Sequence, residues 1–378
     1  MSHDPPSAAR ALRILHTESS CGWGGQEIRI LTEAAGMIAR GHQVTILACP
    51  DSNIHKAALQ RGIPVVAVPI FKKRLGALWA MRRYLARHAQ DFDVINTHSS
   101  TDAWLVALAG LSVYGMPPVV RTRHVSTAIN NSPFTRWLYL EATRHIVTTG
   151  EQLRQTLHRD NGYPLARMVS IPTGIDLDRY RPGDRAARRA GLGLPERPTL
   201  GIVATLRSWK GHGDLLPVWA RLRERFADWQ LVICGDGPQR DNLERQVAEL
   251  GIADSVRFVG NREDVEQWLQ AFDLFTLPSY GNEGVPQGLM QAMASGLPVV
   301  STTVGAIAEA VVDGESGFLV APRELDQIEA ALARLMGDAG LREQMAASAL
   351  TRAQARFGSD HMLDAMTEVF RAAIKAGA

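Results

Sequence analysis

The chain has 378 residues, enough for two or three domains with a core in each. Its 46% apolar and 21% charged content is ordinary for a globular enzyme and excludes a disordered or fibrous protein. Three scattered cysteines (Cys21, Cys49, Cys234) are too few for a disulfide framework or a zinc cluster, and a reducing compartment fits them. The net charge of +2 hides a split: residues 1–170 carry 19 Lys and Arg against 11 Asp and Glu, whereas residues 171–378 carry 22 against 28. The front half is therefore expected to meet an anionic partner. Nucleic acid is disfavoured, because no aromatic-basic interleaving of an RNA-binding module is present. Met1–Arg10 is polar and lacks the apolar core of a signal peptide, so the expectation is a cytoplasmic protein, with peripheral attachment to the inner face of the plasma membrane as an option. The stretch Trp104–Val120 is broken by Gly110, Gly115, Pro117 and Pro118 and does not read as a membrane span.

Short apolar runs alternate with amphipathic stretches, the rhythm of parallel α/β domains. Strands are predicted at Leu12–His16, Gln43–Ala48, Pro64–Val68, Val94–Thr97, Pro118–Thr122, His145–Thr149 and Val169–Ile171, then at Thr199–Ala204, Gln230–Cys234, Val256–Val259, Leu274–Leu277, Pro298–Ser301 and Gly317–Val320. Two similar sets imply two Rossmann-like halves, 1–180 and 181–358, joined by the Pro- and Gly-containing stretch Arg181–Pro198 with one short helix. A last helix, with Ser359 or Asp360 as N-cap, runs to Lys375.

After the first strand comes Ser19-Ser20-Cys21-Gly22-Trp23-Gly24-Gly25, leading into a helix. Glycines at such a turn let a ligand approach the backbone, although a tight structural turn accounts for them equally. The spacing is not G-x-G-x-x-G and no acidic residue ends the second strand, which argues against a nicotinamide dehydrogenase. The stretch Phe71–His88 carries Lys72, Lys73, Arg74, Arg82, Arg83 and Arg87, with Leu75, Leu78 and Leu85 at helical spacing. It reads either as a solvated helix packed by that Leu stripe or, with Trp79 and Tyr84, as a surface for an anionic membrane. His98 ends a strand on the side where α/β proteins bind ligands, and Arg121, Arg123 and His124 cluster at the end of the next. These last three either pair with an acceptor phosphate or line a cleft. In the second half Leu206-Arg207-Ser208-Trp209-Lys210-Gly211 follows a strand with two cations. Pro278–Val300 then places Glu283 at a strand's carboxyl end, followed by Gly284, Val285, Pro286 and Gln287 opening a helix. Unpaired helix-start amides suit a phosphate, and a carboxylate beside them suits a sugar hydroxyl. A nucleotide-sugar supplies both groups.

This last segment resembles the donor-site signature of the retaining glycosyltransferases of family 4, the glycogen-synthase-like group with the GT-B fold. Their pattern has two Glu separated by seven residues; here Glu283 fills the first position and Gln291 stands at the second, where ribose hydroxyls are usually held. A Gln amide oxygen still accepts a hydrogen bond while its NH₂ donates. The resemblance covers about residues 12–375. It implies that Gly24 and Gly25 face the donor diphosphate, that His98 contacts the donor sugar, that Arg207 and Lys210 embrace the pyrophosphate, and that Asn261 lies where the nucleobase is held. It further implies that the final helix crosses back to the first half. Asn96 replaces the first His of the family's Asp-Val-x-His-x-His motif, and Thr205 takes the usual Arg place two residues before Arg207.

The expectation is a metal-independent, cofactor-free α/β enzyme of GT-B fold. It moves a sugar from a nucleotide-diphosphate donor, a UDP-sugar in the first instance, to a hydroxyl of a glycan or of a glycolipid such as a lipopolysaccharide precursor. Alternatives are a nucleotide-sugar 2-epimerase of the same fold, or a degenerate binding-only partner subunit, which Gln291 and Thr205 would favour.

Overall fold

The computed structural model describes residues 10–376, apart from Ser126 and Asn282. The Met1–Arg10 reading thus falls almost wholly outside the described residues, as does Asn282 of the signature segment.

The apolar runs become buried strands. In the first half these are β1 (Arg13–Glu18), β2 (Gln43–Ala48), β3 (Val65–Ala67), β4 (Val94–Thr97), β5 (Val119–Arg123), β6 (His145–Thr148) and β7 (Met168–Ser170). In the second they are β8 (Thr199–Val203), β9 (Gln230–Cys234), β10 (Val256–Gly260), β11 (Leu274–Leu277), β12 (Val299–Thr302) and β13 (Gly317–Val320). Each half forms one all-parallel sheet, ordered β3-β2-β1-β4-β5-β6-β7 and β10-β9-β8-β11-β12-β13. Helices on both faces bury the strands on both sides, which is why these runs read as continuous apolar stretches rather than as alternation. The fold is α/β, two Rossmann-like halves facing each other, as in GT-B proteins.

Strand order reverses between β1 and β4 in one sheet and between β8 and β11 in the other. In open α/β sheets ligands bind at the carboxyl ends of the strands flanking such a reversal. Four of the segments singled out above follow β1, β4, β8 and β11.

The final helix, Ser359–Lys375, starts one or two residues earlier than its composition suggested, with Gly358 at the N-cap and no side-chain cap among the described residues. Its Met362, Met366 and Phe370 join Ile14, Ile30 and Met37 in the core of the first half, so the chain closes back on its start. The helix Leu75–His88 buries Ala77, Met81 and Leu85, spaced four apart, and leaves Leu75 at 86% and Trp79 at 61% exposure. The expected Leu stripe is therefore only partly right, because Leu75 sits on the solvent side beside the cations.

The halves also meet directly. Glu309 reaches across to the helix Glu151–Asn161, where its carboxylate accepts from the N–H groups of Glu151 (2.7 Å) and Gln152 (2.8 Å). These amides are two of the unpaired donors at a helix start, and a carboxylate there also meets the positive end of the dipole. Hydrogen bonds to a charged group contribute about 1.5–3 kcal/mol. Glu309→Ala should therefore lower the melting temperature and enlarge the radius of gyration in small-angle scattering as the halves part. Unchanged scattering and melting would show that this contact does not hold them.

Candidate active site

Tight turns bring the loops after β8 and β11 together. Gly211 adopts φ +78°, and a Cβ there would lie 2.0 Å from the carbonyl oxygen of Pro278, so a side chain would wedge the two loops apart. The turn Ser208–Lys210 then aims Lys210 across the gap. Its Nζ donates to Glu283 Oε1 at 2.7 Å and Oε2 at 3.0 Å. Glu283 is held from behind, its carbonyl accepting from the N–H of Ala306 at 3.1 Å. Val285 and Pro286 are buried beneath this loop, and the helix Gln287–Ala294 opens with no side-chain cap. The site thus pairs one cation, one carboxylate and uncapped helix-start amides.

Arg207 is not part of this group. It is exposed and its guanidinium lies over the Trp209 ring, 5.2 Å from the centroid. Next to Lys210, His212 is buried with no hydrogen-bond partner for either ring nitrogen among the described residues, and burial with the Lys210 charge pulls its pKa down to about 4. It is a neutral ring at the head of the helix His212–Arg225. Asn261 is exposed in the loop after β10. Gln291 is half-buried, with its amide against the Tyr180 hydroxyl, while Gln287, four residues earlier, donates from Nε2 to the Gly25 carbonyl at 2.7 Å.

That last bond crosses between the halves and fixes the opposing wall. Gly24 is the N-cap of the first helix, Gly25–Ala39. A Cβ on Gly284 would lie 3.0 Å from Thr149 Oγ1 and 3.8 Å from the His124 carbonyl oxygen. So Gly25, His124 and Thr149 of one half line up against Gly284 and Gln287 of the other.

Behind His124 runs a row of three imidazoles. His98 Nδ1 is 2.9 Å from His124 Nε2, and His98 Nε2 is 2.9 Å from His16 Nδ1. His98 is buried with both ring nitrogens engaged, so the ring that reaches the cleft is His124. Burial holds His98 and His124 well below the ordinary imidazole pKa and takes His16 to about 3, so all three are neutral near pH 7. Asp102 anchors the row by accepting from the N–H groups of His98 (3.0 Å) and Ser99 (2.8 Å) and from Thr17 Oγ1 (2.6 Å). Glu18, at the end of β1, accepts from the Ser20 N–H at 2.6 Å and from Gln26, which shapes the Gly-rich loop; burial, then the nearby Asp102 charge, raise its pKa. His16, Glu18 and Glu33 were missed in the sequence. The available signal was His16-Thr17-Glu18, polar residues closing an otherwise apolar strand at the point of reversal.

The two arginines of β5 differ. Arg123 is consumed structurally: Nη1 donates to the Tyr139 hydroxyl at 2.7 Å, and Nη2 to the carbonyls of Val125 (3.1 Å) and Thr127 (2.8 Å). Arg121 is 3% exposed, lies 4.8 Å from the Tyr139 ring centroid, and has no hydrogen-bond partner for Nε and Nη1 among the described residues. A buried guanidinium with idle donors is costly unless something anionic meets it. Lys73, which donates to Ser100 Oγ at 3.1 Å, is close enough that burial and the Arg121 charge both lower its pKa.

Among known proteins, residues 23–179 match the model of Glycosyltransferase Family 4, and residues 197–338 that of Glycosyl transferases group 1. The D-inositol 3-phosphate glycosyltransferase of Nocardia farcinica is 30% identical over 392 residues, covering 93% of this chain and 85% of its own. The enzyme of that name from Mycobacterium marinum is 29% identical, covering 93% and 82%. In structure, the chain is similar to a glycosyltransferase of Rickettsia africae (TM-score 0.88, 18% identity, 97% and 99% covered). It is also similar to Anabaena Alr3699/HepE, solved with UDP and glucose (TM-score 0.83, 21% identity, 96% and 100% covered). The chain belongs to glycosyltransferase family 4, within the group 1 glycosyl transferases, and is a glycosyltransferase of GT-B fold.

Proposed function

We propose that the protein transfers a sugar, with retention of anomeric configuration and without a metal, from a nucleotide-diphosphate donor to a hydroxyl of a phosphate-bearing glycan or glycolipid. The observation that carries the donor half is the Lys210–Glu283 pair beside uncapped helix-start amides. A diphosphate arriving at that helix competes for Lys210, whose charge offsets what develops on the leaving group. Glu283, released, turns to the sugar hydroxyls. UDP is the favoured nucleotide, and its support is the UDP bound by the structurally similar Alr3699/HepE. Gln291 is assigned to the ribose together with Tyr180. Retention follows from attack on the face the diphosphate leaves, with the departing phosphate assisting loss of the acceptor proton, so no side-chain nucleophile is needed.

On the acceptor side, the idle donors of Arg121 beside Lys73 support an anionic group, and a guanidinium binds phosphate bidentately. Relatives named for D-inositol 3-phosphate support the same chemistry. For localisation, no helix of the described residues is long and apolar enough to cross a membrane. We assign the anionic membrane surface to Phe71–Arg87, where Phe71, Leu75 and Trp79 are exposed next to Lys72, Arg82, Arg83 and Arg87.

Lys210→Ala should cut turnover on the order of 10²-fold. It also leaves Glu283 buried without its counter-charge, at a cost of roughly 3 kcal/mol in stability. Adding Glu283→Gln should recover the melting temperature but not the turnover, and native kinetics in Lys210→Ala would remove this residue from the site. A product assay separates transfer from epimerisation: glycosylated acceptor supports this reading, and free nucleoside diphosphate with no glycan product opposes it.

The membrane assignment is checked by flotation with phosphatidylglycerol vesicles. Changing Leu75 and Trp79 together to Ser should weaken association about tenfold or more while leaving turnover of a water-soluble acceptor intact. Equal flotation of variant and native protein would withdraw the assignment.

A further inference from the structure

The imidazole row does not stop at His16. On its far side His16 Nε2 has no hydrogen-bond partner among the described residues and lies 3.8 Å from Glu33 Oε1, with both side chains fully buried. We propose that Glu33, acting through His16 and His98, fixes which nitrogen of His124 carries the proton and so presents His124 Nδ1 to the cleft as a hydrogen-bond acceptor for a substrate hydroxyl. Glu33 is a positioning residue in this scheme, since it touches no substrate itself.

The rings are stacked in one sense, each Nδ1 facing the next ring's Nε2. A neutral imidazole has one N–H and one bare nitrogen. In a row of neutral rings, the choice made at one end therefore propagates to the other. The carboxylate beside His16 Nε2 favours the proton there, which leaves His16 Nδ1 bare. It then accepts from His98 Nε2, whose ring must leave Nδ1 bare to accept from His124 Nε2. The last lone pair falls on His124 Nδ1. Protonating Glu33 removes the bias and permits the reversed row, in which His124 Nδ1 becomes a donor.

The surroundings of Glu33 agree with an acceptor. Thr122 Oγ1 donates to Asn96 Oδ1 at 2.9 Å, which orients that amide so that Nδ2 approaches Glu33 Oε1 at 3.5 Å. Arg29, four residues earlier on the same helix, brings its Nε within 3.7 Å of Glu33 Oε2 while its Nη1 is tied to the Ile171 carbonyl at 2.6 Å. Its Nη2 faces Met366 of the final helix at 3.8 Å, and Phe370 packs edge-on against His16. From β5 the charges facing the row are Arg121 and Arg123. Burial outweighs Arg29 and Asn96 and carries Glu33 up to about 7, while the three rings stay neutral. The ordering carboxylate is thus present above pH 7 and lost as pH falls through it. Asn96, where the family motif has a His, supplies the amide that keeps Glu33 company.

The consequence for turnover rests on the transferase reading above, whereas the tautomers are read without substrate. Nitrogen-15 NMR of the ligand-free native protein at pH 8 should show the proton on Nε2 in His16, His98 and His124. A proton on Nδ1 of His124 would overturn the proposal whether or not any donor is known. In kinetics, native kcat should fall about tenfold between pH 8 and pH 6, one ionisation's worth, and a flat native profile would contradict the scheme. Glu33→Gln should lower kcat at pH 8 by about tenfold, keep the donor KM within twofold, and lose the acid limb. If the variant kept the native limb, Glu33 would be a packing residue only. A native protein that turned over no nucleotide-sugar would instead defeat the transferase reading and leave the tautomer result standing.

Discussion

The site hangs on one ion pair between two loops that belong to different crossovers. Lys210 follows β8 and Glu283 follows β11, and the two meet because their strands are neighbours where the sheet order reverses. Neither charge is well exposed, so each needs the other until a ligand replaces it. The backbone serves that meeting: Gly211 lets one loop pass against Pro278, and Gly305, at φ +59° with its would-be Cβ 2.1 Å from the Glu283 carbonyl, lets a third loop close behind. A ligand able to take Lys210 must bring negative charge, and one able to use Glu283 must bring hydroxyls. A sugar diphosphate brings both in the right order.

The opposing half is built on a different principle. It places neutral polar rings in a row that runs into a buried interior, where neighbouring groups decide a proton's position. It also brings the buried cation Arg121 beside the exposed Lys73, near the start of the helix Ser100–Gly110. The basic excess of residues 1–170 is thereby divided among separate duties: Arg123 ties down a loop, Arg29 sits wholly inside, and Arg82, Arg83 and Arg87 face solvent on one helix. Charge counting alone could not separate these uses.

The fold was legible because strands buried on both faces leave unbroken apolar runs, and Gln43–Ala48, Val94–Thr97, Gln230–Cys234 and Leu274–Leu277 were readable to the residue. The loops after Gln43–Ala48, Gln230–Cys234 and Leu274–Leu277 were legible because Gly or Pro marks them. Side-chain destinations were not. Arg207 and Lys210 look alike in sequence, and only the turn between them sends one to Glu283 and the other over Trp209. Arg123 reads as a ligand cation until Tyr139 and two carbonyls are seen to consume it. His16 and Glu33 lie within a strand and a helix, where burial reads as core, so no local pattern distinguishes an ordering carboxylate from an ordinary helical Glu. Leu75 fits a helical stripe by spacing, yet the helix rotates to bury Ala77, Met81 and Leu85 instead.

In the proposed reaction a nucleotide-sugar occupies the cleft by taking Lys210 away from Glu283. A crystal structure with an unhydrolysed UDP-sugar tests it most directly. The expected complex has the diphosphate at the start of the helix Gln287–Ala294, Lys210 Nζ on a phosphate oxygen, Glu283 on a sugar hydroxyl, and the anomeric carbon turned toward His124. A bound donor with the Lys210–Glu283 pair still at its ligand-free 2.7 Å and the diphosphate held elsewhere would contradict it.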